Sequence, residues 1–357
     1  VGDVHGDFAA LEQFLTVAQV YDANTRQWTG GNTILVQCGD ILDRGSEELQ
    51  CFQLLSELSQ QAHREGGHLI MLWGNHEALN AAGLFHYTTD DSEYERYIGK
   101  TIDETLPTDL KEHWRIQFGG NQPSRWASYE PGSGVLTRPL LSQMKVAVKV
   151  GRTVCVHGGL TAHHFDQYGG IRGMNKLAQE WVLKTHHNKN NLQGEYSSDE
   201  IMIREANLRA KMSTLQMPEC LGGGIGSASP VWMREYSQPM DEEPPPESAK
   251  IIQQMLDSAL FHVGADRMVM GHTPQRGINV ALSGKAWRVD VGASRGVMNG
   301  KPEALEIVKQ PNGEEIVSVL TAGGSNGSGN QIQRLSQQQR HARQSSRIGS
   351  ESVASMW

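Results

Sequence analysis

Short apolar runs that end abruptly in polar, glycine-bearing loops are the feature that most constrains the fold of this chain. Residues 33–38 (TILVQC) lead into GDILDRG, and residues 68–73 (HLIMLW) lead into GNHE. Between them, residues 47–65 carry leucine and phenylalanine at helical spacing and stop at a glycine pair, which predicts a helix. Strand, loop, helix and strand in this order predict a parallel sheet with its functional groups at the carboxyl ends of the strands.

The same pattern continues along the chain. An amphipathic helix is predicted directly after the opening VGDVHG, over residues 8–17. Further strands are predicted at 145–150, at 153–156 before HGGL, at 267–270 before GHTPQ, and at 286–291 before GASRG. Residues 303–309 and 315–320 flank the turn Pro311-Asn312-Gly313 and predict a closing hairpin. The pattern therefore predicts an α/β fold with several polar loops along one sheet edge.

Composition excludes some classes of partner. The chain has 357 residues, a net charge of −8 and an isoelectric point near 6.0. Nucleic acid and anionic membranes attract positively charged surfaces, so neither is expected as a partner. No apolar run approaches the ~20 residues that span a bilayer. The four cysteines include no CxxC pair, which favours a reducing, intracellular setting with the cytoplasm as the expected compartment. The sequence begins with Val1 rather than Met, so it permits no judgement on a targeting peptide.

One domain over residues 1–320 accounts for the patterned part of the chain. Residues 80–143 interrupt it as an insertion, in which Trp114, Phe118, Trp126 and Tyr129 suggest a small core of its own. Residues 321–357 are rich in glycine, serine, glutamine and arginine without periodicity, which predicts a disordered tail.

Six candidate metal ligands follow the predicted strands. They are Asp3, His5, Asp40, Asn75, His157 and His272. Oxygen ligands mixed with imidazoles suit manganese, iron or zinc rather than calcium. Six ligands are too many for one tetrahedral zinc but suit two cations that share a bridging carboxylate. Two such cations, roughly 3.5–4 Å apart, activate a bridging water for in-line displacement at phosphorus. The residues therefore predict a dinuclear site for phosphate-ester hydrolysis.

The ordered motifs GDVHG (2–6), GDILDRG (39–45), GNHE (74–77), HGG (157–159) and GH (271–272) resemble those of the phosphoprotein phosphatases, a branch of the calcineurin-like metallophosphoesterases. More narrowly, GNHEALNAAGLFHY, PVWMREYS and MGHTPQRGINV resemble the Shewanella-like protein phosphatases. The resemblance implies two mixed β-sheets packed as a sandwich, flanked by helices, with the metal site at strand-end loops. It also implies a phosphorylated protein as the substrate, while regulatory partners stay unknown.

The resemblance further assigns roles to the ligands. Asp3, His5 and His272 would hold one metal, Asn75 and His157 the other, and Asp40 would bridge them. Manganese is the metal expected in vitro, with iron and zinc as alternatives. The implied reaction is hydrolysis of phosphoserine, phosphothreonine or phosphotyrosine by a hydroxide that bridges the two metals.

Four other roles are implied around this centre. His76 would be the general acid that protonates the leaving oxygen, and Asp43 would orient its ring. Arg44 would place a planar fork on the phosphate, which Asn75 would also contact. Arg234, in the VWMR segment, resembles a second phosphate-binding arginine.

Several alternatives stay open at this point. Asp43 could instead form a structural salt bridge with Arg44 or cap a helix, and Arg234 could pair with Glu235 or the acidic run 241–247. A small-molecule or dinucleotide phosphoesterase of the same fold is an alternative function, and a non-catalytic binding module is another. Many phosphodiesterases of the superfamily carry GHxH, whereas Gly271-His272 is followed here by Thr273-Pro274, which favours the phosphatase branch.

Overall fold

The structure is a computed structural model that describes residues 1–89, 92–94, 123–184, 216–224, 226–322 and 332–336. Within these ranges the helices are Phe8–Val17 (α1), Glu48–Arg64 (α2), Asn75–Ala81 (α3), Ser92–Tyr94 (α4), Pro123–Tyr129 (α5), Ala162–Tyr168 (α6), Gly170–Leu183 (α7) and Pro246–Val263 (α8). The strands are Tyr21–Asp22 (β1), Gln27–Trp28 (β2), Ile34–Gln37 (β3), His68–Met71 (β4), Ala147–Val150 (β5), Thr153–Val156 (β6), Arg267–Met270 (β7), Asn279–Ala281 (β8), Ala286–Arg288 (β9), Glu303–Lys309 (β10), Glu315–Ala322 (β11) and Ile332–Ser336 (β12).

The described strands form four sheets. Strands β3 and β4 pair in parallel, and a mixed sheet has the order β5-β6-β7-β9-β8, in which β6, β7 and β9 are parallel. Strands β10, β11 and β12 form an antiparallel sheet, and β1 pairs with β2. An isolated parallel bridge between Leu72 and Lys145 joins the ends of β4 and β5. The predicted α/β class and the parallel pairing are confirmed, while the strands divide among four sheets rather than the two that the resemblance implied.

Helix α2 connects β3 to β4 and packs on β4, as the βαβ pattern predicts. Its apolar residues Leu54, Leu55 and Leu58 are fully buried, which explains their helical spacing in the sequence. The opening residues lie beside β3, because the Val1 amino group donates to Val36 O and the Cys38 N–H donates to Val1 O. Helix α1 starts directly after them, where the Asp7 side chain accepts the Ala10 N–H.

The insertion does not form a separate core within its described part. Tyr94, Trp126 and Tyr129 belong to the same buried apolar cluster as the sheets and helices of the domain. Trp114 and Phe118 lie outside the described residues. Helix α5, from this insertion, contacts α3. The insertion is therefore built into the domain at a point next to the GNHE motif.

Three further differences from the predictions concern secondary structure. Strand β12 lies within the segment 321–357 and pairs with β11, so the prediction of disorder is wrong for Ile332–Ser336. Strand β9 ends at Arg288 rather than at residue 291. Some elements were not predicted at all, namely helices α3 and α5 to α8 and strands β1, β2 and β8. No helix in the described ranges is long and apolar enough to cross a membrane.

Replacement of Leu54 by Ala tests the packing of α2. The side chain is 0% exposed, so Leu54→Ala is expected to lower the free energy of unfolding by about 2–5 kcal/mol. Urea denaturation followed by circular dichroism measures this. The exposed neighbour Gln53, changed to Ala on the same helix, is expected to stay within about 0.5 kcal/mol of the wild type. Equal effects of the two substitutions would contradict the assigned packing.

Candidate metal centre

All six candidate ligands lie in loops or helix starts that follow strands or run beside them. Asp40 follows β3, Asn75 begins α3 after β4, His157 follows β6, and His272 follows β7, while Asp3 and His5 precede α1. Because β3 pairs in parallel with β4, and β6 with β7, these loops lie at the carboxyl ends of both sheets.

Several site residues have backbones in the left-handed region. His5, Asp40, Asp43, Arg44 and His272 have φ between 48° and 68°. Residues other than glycine seldom adopt this conformation, and such backbones concentrate at functional sites. The side chains of these loops are thus aimed by a backbone geometry that the surrounding structure must maintain.

The Asp40 carboxylate is the centre of the site. It is 2% exposed, and its Oδ2 lies 3.2 Å from His157 Nε2, 3.8 Å from His5 Nε2 and 3.9 Å from His76 Nε2. Its Oδ1 accepts the His76 backbone N–H at 3.0 Å. One carboxylate therefore faces three imidazoles that come from three different loops.

Each of the three predicted ligand imidazoles has one ring nitrogen bound to a backbone carbonyl. His5 Nδ1 lies 2.9 Å from Leu42 O, and His157 Nδ1 lies 2.7 Å from Cys38 O. His272 instead uses Nε2, 2.9 Å from Trp232 O. A carbonyl only accepts, so these nitrogens must donate. The lone pairs left for a metal are those of His5 Nε2, His157 Nε2 and His272 Nδ1.

Two groups of potential ligands share Asp40. The ligand atoms of His5, Asp40 and His76 lie within 4.8 Å of one another, as do those of Asp40, His157 and His272. The structure thus places His272 with His157, whereas the resemblance had placed it with His5. His272 and His157 are neighbours because β6 and β7 are adjacent strands and bring their terminal loops together.

Asp3 and Asn75 lie beside these groups. Asn75 Oδ1 is 3.0 Å from His157 Nε2, and Asp3 Oδ2 accepts the His272 backbone N–H at 3.1 Å. Asp290, a further buried carboxyl that the sequence reasoning missed, is close enough to Asp3 to perturb it. Burial, with the nearby charges of Asp290 and Asp40, raises the pKa of Asp3 well above its usual value.

The protonation states of Asp40, His5 and His272 suit a cation site. Burial opposes the charge of Asp40, but the His157 and His76 imidazoles outweigh it and hold the pKa of Asp40 well below its usual value. Burial, with the nearby His76, lowers the pKa of His5 to about 4. Burial and the Arg234 charge lower the pKa of His272 well below its usual value. An ionised carboxylate beside the neutral imidazoles of His5 and His272 is a donor set that manganese, iron and zinc accept. The residues present therefore fit the divalent metals that the resemblance implies.

His76 is held by Asp43 on the side away from Asp40. Its Nδ1 lies 2.6 Å from Asp43 Oδ2, and Asn80 Nδ2 donates to Asp43 Oδ1 at 3.0 Å and to His76 O at 2.9 Å. Burial would lower the pKa of His76, but Asp40 and the hydrogen bond to Asp43 outweigh it and raise that pKa. Asp43 is thus the partner of His76. Its carboxylate contacts match neither of the alternatives, a helix cap or a salt bridge with Arg44.

The two arginines lie on opposite loops of the site. The Arg44 guanidinium stacks over the Tyr87 ring at 5.2 Å, and that ring lies 5.0 Å from the His76 ring. Arg234 Nη1 donates to His272 O and to Thr273 Oγ1, both at 2.8 Å. These bonds attach Arg234 to the loop after β7 rather than to the acidic run 241–247.

Glu77, the last residue of GNHE, organises the loops and was not assigned a role from the sequence. It is 0% exposed. Its two carboxylate oxygens accept four backbone N–H groups, from Asp40 at 2.9 Å, Ile41 at 2.8 Å, Leu42 at 3.1 Å and Gly74 at 2.8 Å. A Cβ at Gly74 would lie 2.1 Å from Asp40 Oδ1, so the close approach of these loops requires glycine there.

Substitution of Glu77 by Gln tests the role of these four hydrogen bonds. The NH₂ group of the new amide would face backbone N–H groups that now donate to the Glu77 carboxylate. We therefore expect the free energy of unfolding to fall by about 2–4 kcal/mol. Weaker manganese binding should accompany it, because the loop that carries Asp40 loses its anchor. Urea denaturation and isothermal titration calorimetry measure the two effects. The exposed Glu57, changed to Gln, is the control. If Glu77→Gln and Glu57→Gln had the same stability and manganese affinity, Glu77 would not hold these loops.

The chain is similar to a known protein family and to several known proteins. Residues 1–291 match the family model described as calcineurin-like phosphoesterase. Shewanella-like protein phosphatase 2 of Arabidopsis thaliana is 33% identical over 339 residues, covering 89% of this chain and 76% of that protein. Shewanella-like protein phosphatase 1 of Plasmodium berghei is 29% identical over 160 residues, or 45% of this chain and 38% of that protein.

A solved structure shares the fold. The cold-active protein-tyrosine phosphatase of a psychrophilic Shewanella species superposes with a TM-score of 0.58 at 20% identity, over 93% of this chain and 78% of that one. The matched range 1–291 contains the residues that converge on Asp40. The chain belongs to the calcineurin-like phosphoesterase family, with the Shewanella-like protein phosphatases among its relatives.

Proposed function

We propose that this phosphoesterase is a protein phosphatase that hydrolyses phosphoserine and phosphothreonine, with phosphotyrosine as a further possible substrate. The observation that carries the proposal is the His76–Asp43 pair, which lies directly against the carboxylate shared by the two ligand groups. A general acid beside a metal centre is what a phosphate monoester with a poor leaving group requires.

The proposed reaction uses two metal ions, and residues of the site would hold them. His157, His272 and Asn75 would hold one cation, His5 and Asp3 the other, and Asp40 would contact both. Manganese is the metal we expect in vitro, with iron or zinc as alternatives. When bound, the two cations supply an activated water and neutralise charge on the phosphate.

The chain's own residues do the rest. His76 Nε2 faces the Asp40 side of the site, since Nδ1 is bound to Asp43. From there it would donate a proton to the departing serine, threonine or tyrosine oxygen. Arg44 and Arg234 would bind the non-bridging phosphate oxygens, because a guanidinium matches two of them at once, and Asn75 would add a hydrogen bond. The stacking on Tyr87 keeps the Arg44 side chain beside His76.

The substrate class rests on the relatives and on one local contact. The Arabidopsis and Plasmodium relatives are named protein phosphatases, and the Shewanella structure is named a protein-tyrosine phosphatase. Thr273 occupies the position after His272, and its hydroxyl accepts a hydrogen bond from Arg234. Pro274 then stands where a GHxH motif carries its second histidine, and this favours a phosphate monoester over a dinucleotide diester, the alternative substrate.

Phosphate release from phosphoserine, phosphothreonine and phosphotyrosine peptides, with and without manganese, tests the proposed function. Cleavage of diadenosine polyphosphate under the same conditions tests the alternative. Manganese-dependent release from peptides that exceeds dinucleotide cleavage is the expected result. Hydrolysis of the dinucleotide alone would favour the small-molecule enzyme, and no metal-dependent hydrolysis of any of them would contradict a catalytic role.

A His76→Ala substitution separates acid catalysis from metal binding. Loss of the proton donor is expected to lower kcat on a phosphoserine peptide by about 10²–10⁴-fold. The manganese content, measured by mass spectrometry after dialysis, should stay near that of the wild type, because the other ligands are intact. The exposed His63, changed to Ala, serves as the control. An unchanged kcat in His76→Ala would exclude His76 as the general acid.

A further inference from the structure

A buried guanidinium lies behind the His76–Asp43 pair, and it comes from the insertion. Arg125, in α5, is 1% exposed. Its Nη2 donates to Asp43 Oδ1 at 2.9 Å, and its Nε donates to Asn80 Oδ1 at 2.6 Å. Arg125 thus contacts both residues that support the His76 ring.

The two Asp43 oxygens are divided between these partners. Oδ2 faces His76 Nδ1, while Oδ1 accepts from both Asn80 Nδ2 and Arg125 Nη2. A carboxylate with one oxygen held by two donors cannot rotate about its terminal torsion without breaking hydrogen bonds. The direction of Oδ2, and with it the plane of the imidazole, is therefore set from the side opposite to His76.

The guanidinium is itself fixed by Glu48. Arg125 Nη1 donates to Glu48 Oε2 at 2.7 Å and Nη2 donates to Oε1 at 2.6 Å, a two-point contact that defines its plane. Tyr94 donates its hydroxyl to Glu48 Oε2 at 2.5 Å, and its ring lies 4.7 Å from the Arg125 guanidinium carbon. The Asp43 backbone N–H also donates to Glu48 Oε1. Glu48, in α2, therefore holds both Asp43 and the arginine that orients it.

We propose that Arg125 is a positioning residue for the general acid, through which the insertion completes the acid side of an active site whose metal side is built by the strand-end loops. The inference rests on the proposed function, because it concerns the same proton transfer. A salt bridge that only stabilises the fold is the competing explanation. The two differ in the step that they affect, since a positioning residue changes leaving-group protonation and a structural one changes the amount of active enzyme.

The test uses Arg125→Lys, which keeps the charge but cannot reproduce the fork that binds Glu48 and Asp43 together. The substrates are a phosphoserine peptide, whose leaving oxygen needs a proton, and dinitrophenyl phosphate, whose leaving group departs without one. We expect kcat to fall by about 10–100-fold on the peptide and by less than about 3-fold on dinitrophenyl phosphate. Equal loss on both substrates would overturn the proposal.

The matched control is Arg152→Lys, since Arg152 is an exposed arginine that pairs with Asp266 far from this network. It should leave both rates unchanged. A wild-type protein without metal-dependent activity on either substrate would instead defeat the proposed function, so the two failures are distinguishable.

A readout without turnover comes from proton NMR of the metal-free protein. The short His76 Nδ1–Asp43 hydrogen bond should give a strongly downfield N–H resonance. Arg125→Lys is expected to move it upfield or broaden it, while Arg152→Lys leaves it in place. An unchanged resonance in folded Arg125→Lys would count against positioning. If Arg125→Lys fails to fold, Glu48→Gln decides by the same measurements, because it removes the carboxylate that fixes the guanidinium plane.

Discussion

The site depends on one buried carboxylate that is shared by three loops. Asp40 lies within 3.9 Å of His5, His76 and His157 side-chain nitrogens while almost excluded from water. A carboxylate in such a place is strongly unfavourable unless neighbours neutralise it or donate to it. The loops after β3, β4 and β6 are therefore coupled, since moving any one of them exposes or isolates the Asp40 charge.

Two different kinds of support surround this carboxylate. On the metal side, backbone carbonyls fix the ring orientation of His5, His157 and His272, so the ligands are aligned by the ends of the sheets. On the acid side, His76 is oriented by side chains alone, through Asp43 and then Arg125. The first support comes from loops at the ends of parallel strands, and the second needs a residue from the insertion. The insertion thus supports the His76 side of the site and is not needed for the carbonyl contacts of the three imidazoles.

The sequence predicts the convergence of the candidate ligands because the information for it is local. An apolar run followed by a glycine and a ligand residue marks a strand end, and parallel pairing brings such ends together. The six candidate ligands, which the structure brings together, and His76 with Asp43 could be proposed for this reason. The partition of His272 could not, because it depends on the adjacency of β6 and β7 rather than on the order of motifs.

Other features of the site and fold could not be predicted, because no local sequence pattern indicates them. Arg125 and Glu48 are 77 residues apart in the chain, and neither stands in a periodic or motif-bearing context that links it to the other. Glu77 could have been noticed only as the neighbour of His76 and Asn75 in the sequence, since its four partners are backbone groups that no side-chain pattern reveals. Strand β12 was missed because a polar strand at the edge of a sheet lacks apolar alternation and reads as disorder.

The most direct test of the shared-carboxylate account is the location of bound manganese. Anomalous X-ray diffraction from crystals grown with manganese should show two ions per chain, both in contact with Asp40, and electron paramagnetic resonance should show an exchange-coupled pair. In Asp40→Asn the coupled signal should disappear. Two ions without a common ligand, or one isolated ion bound away from Asp40, would contradict the account.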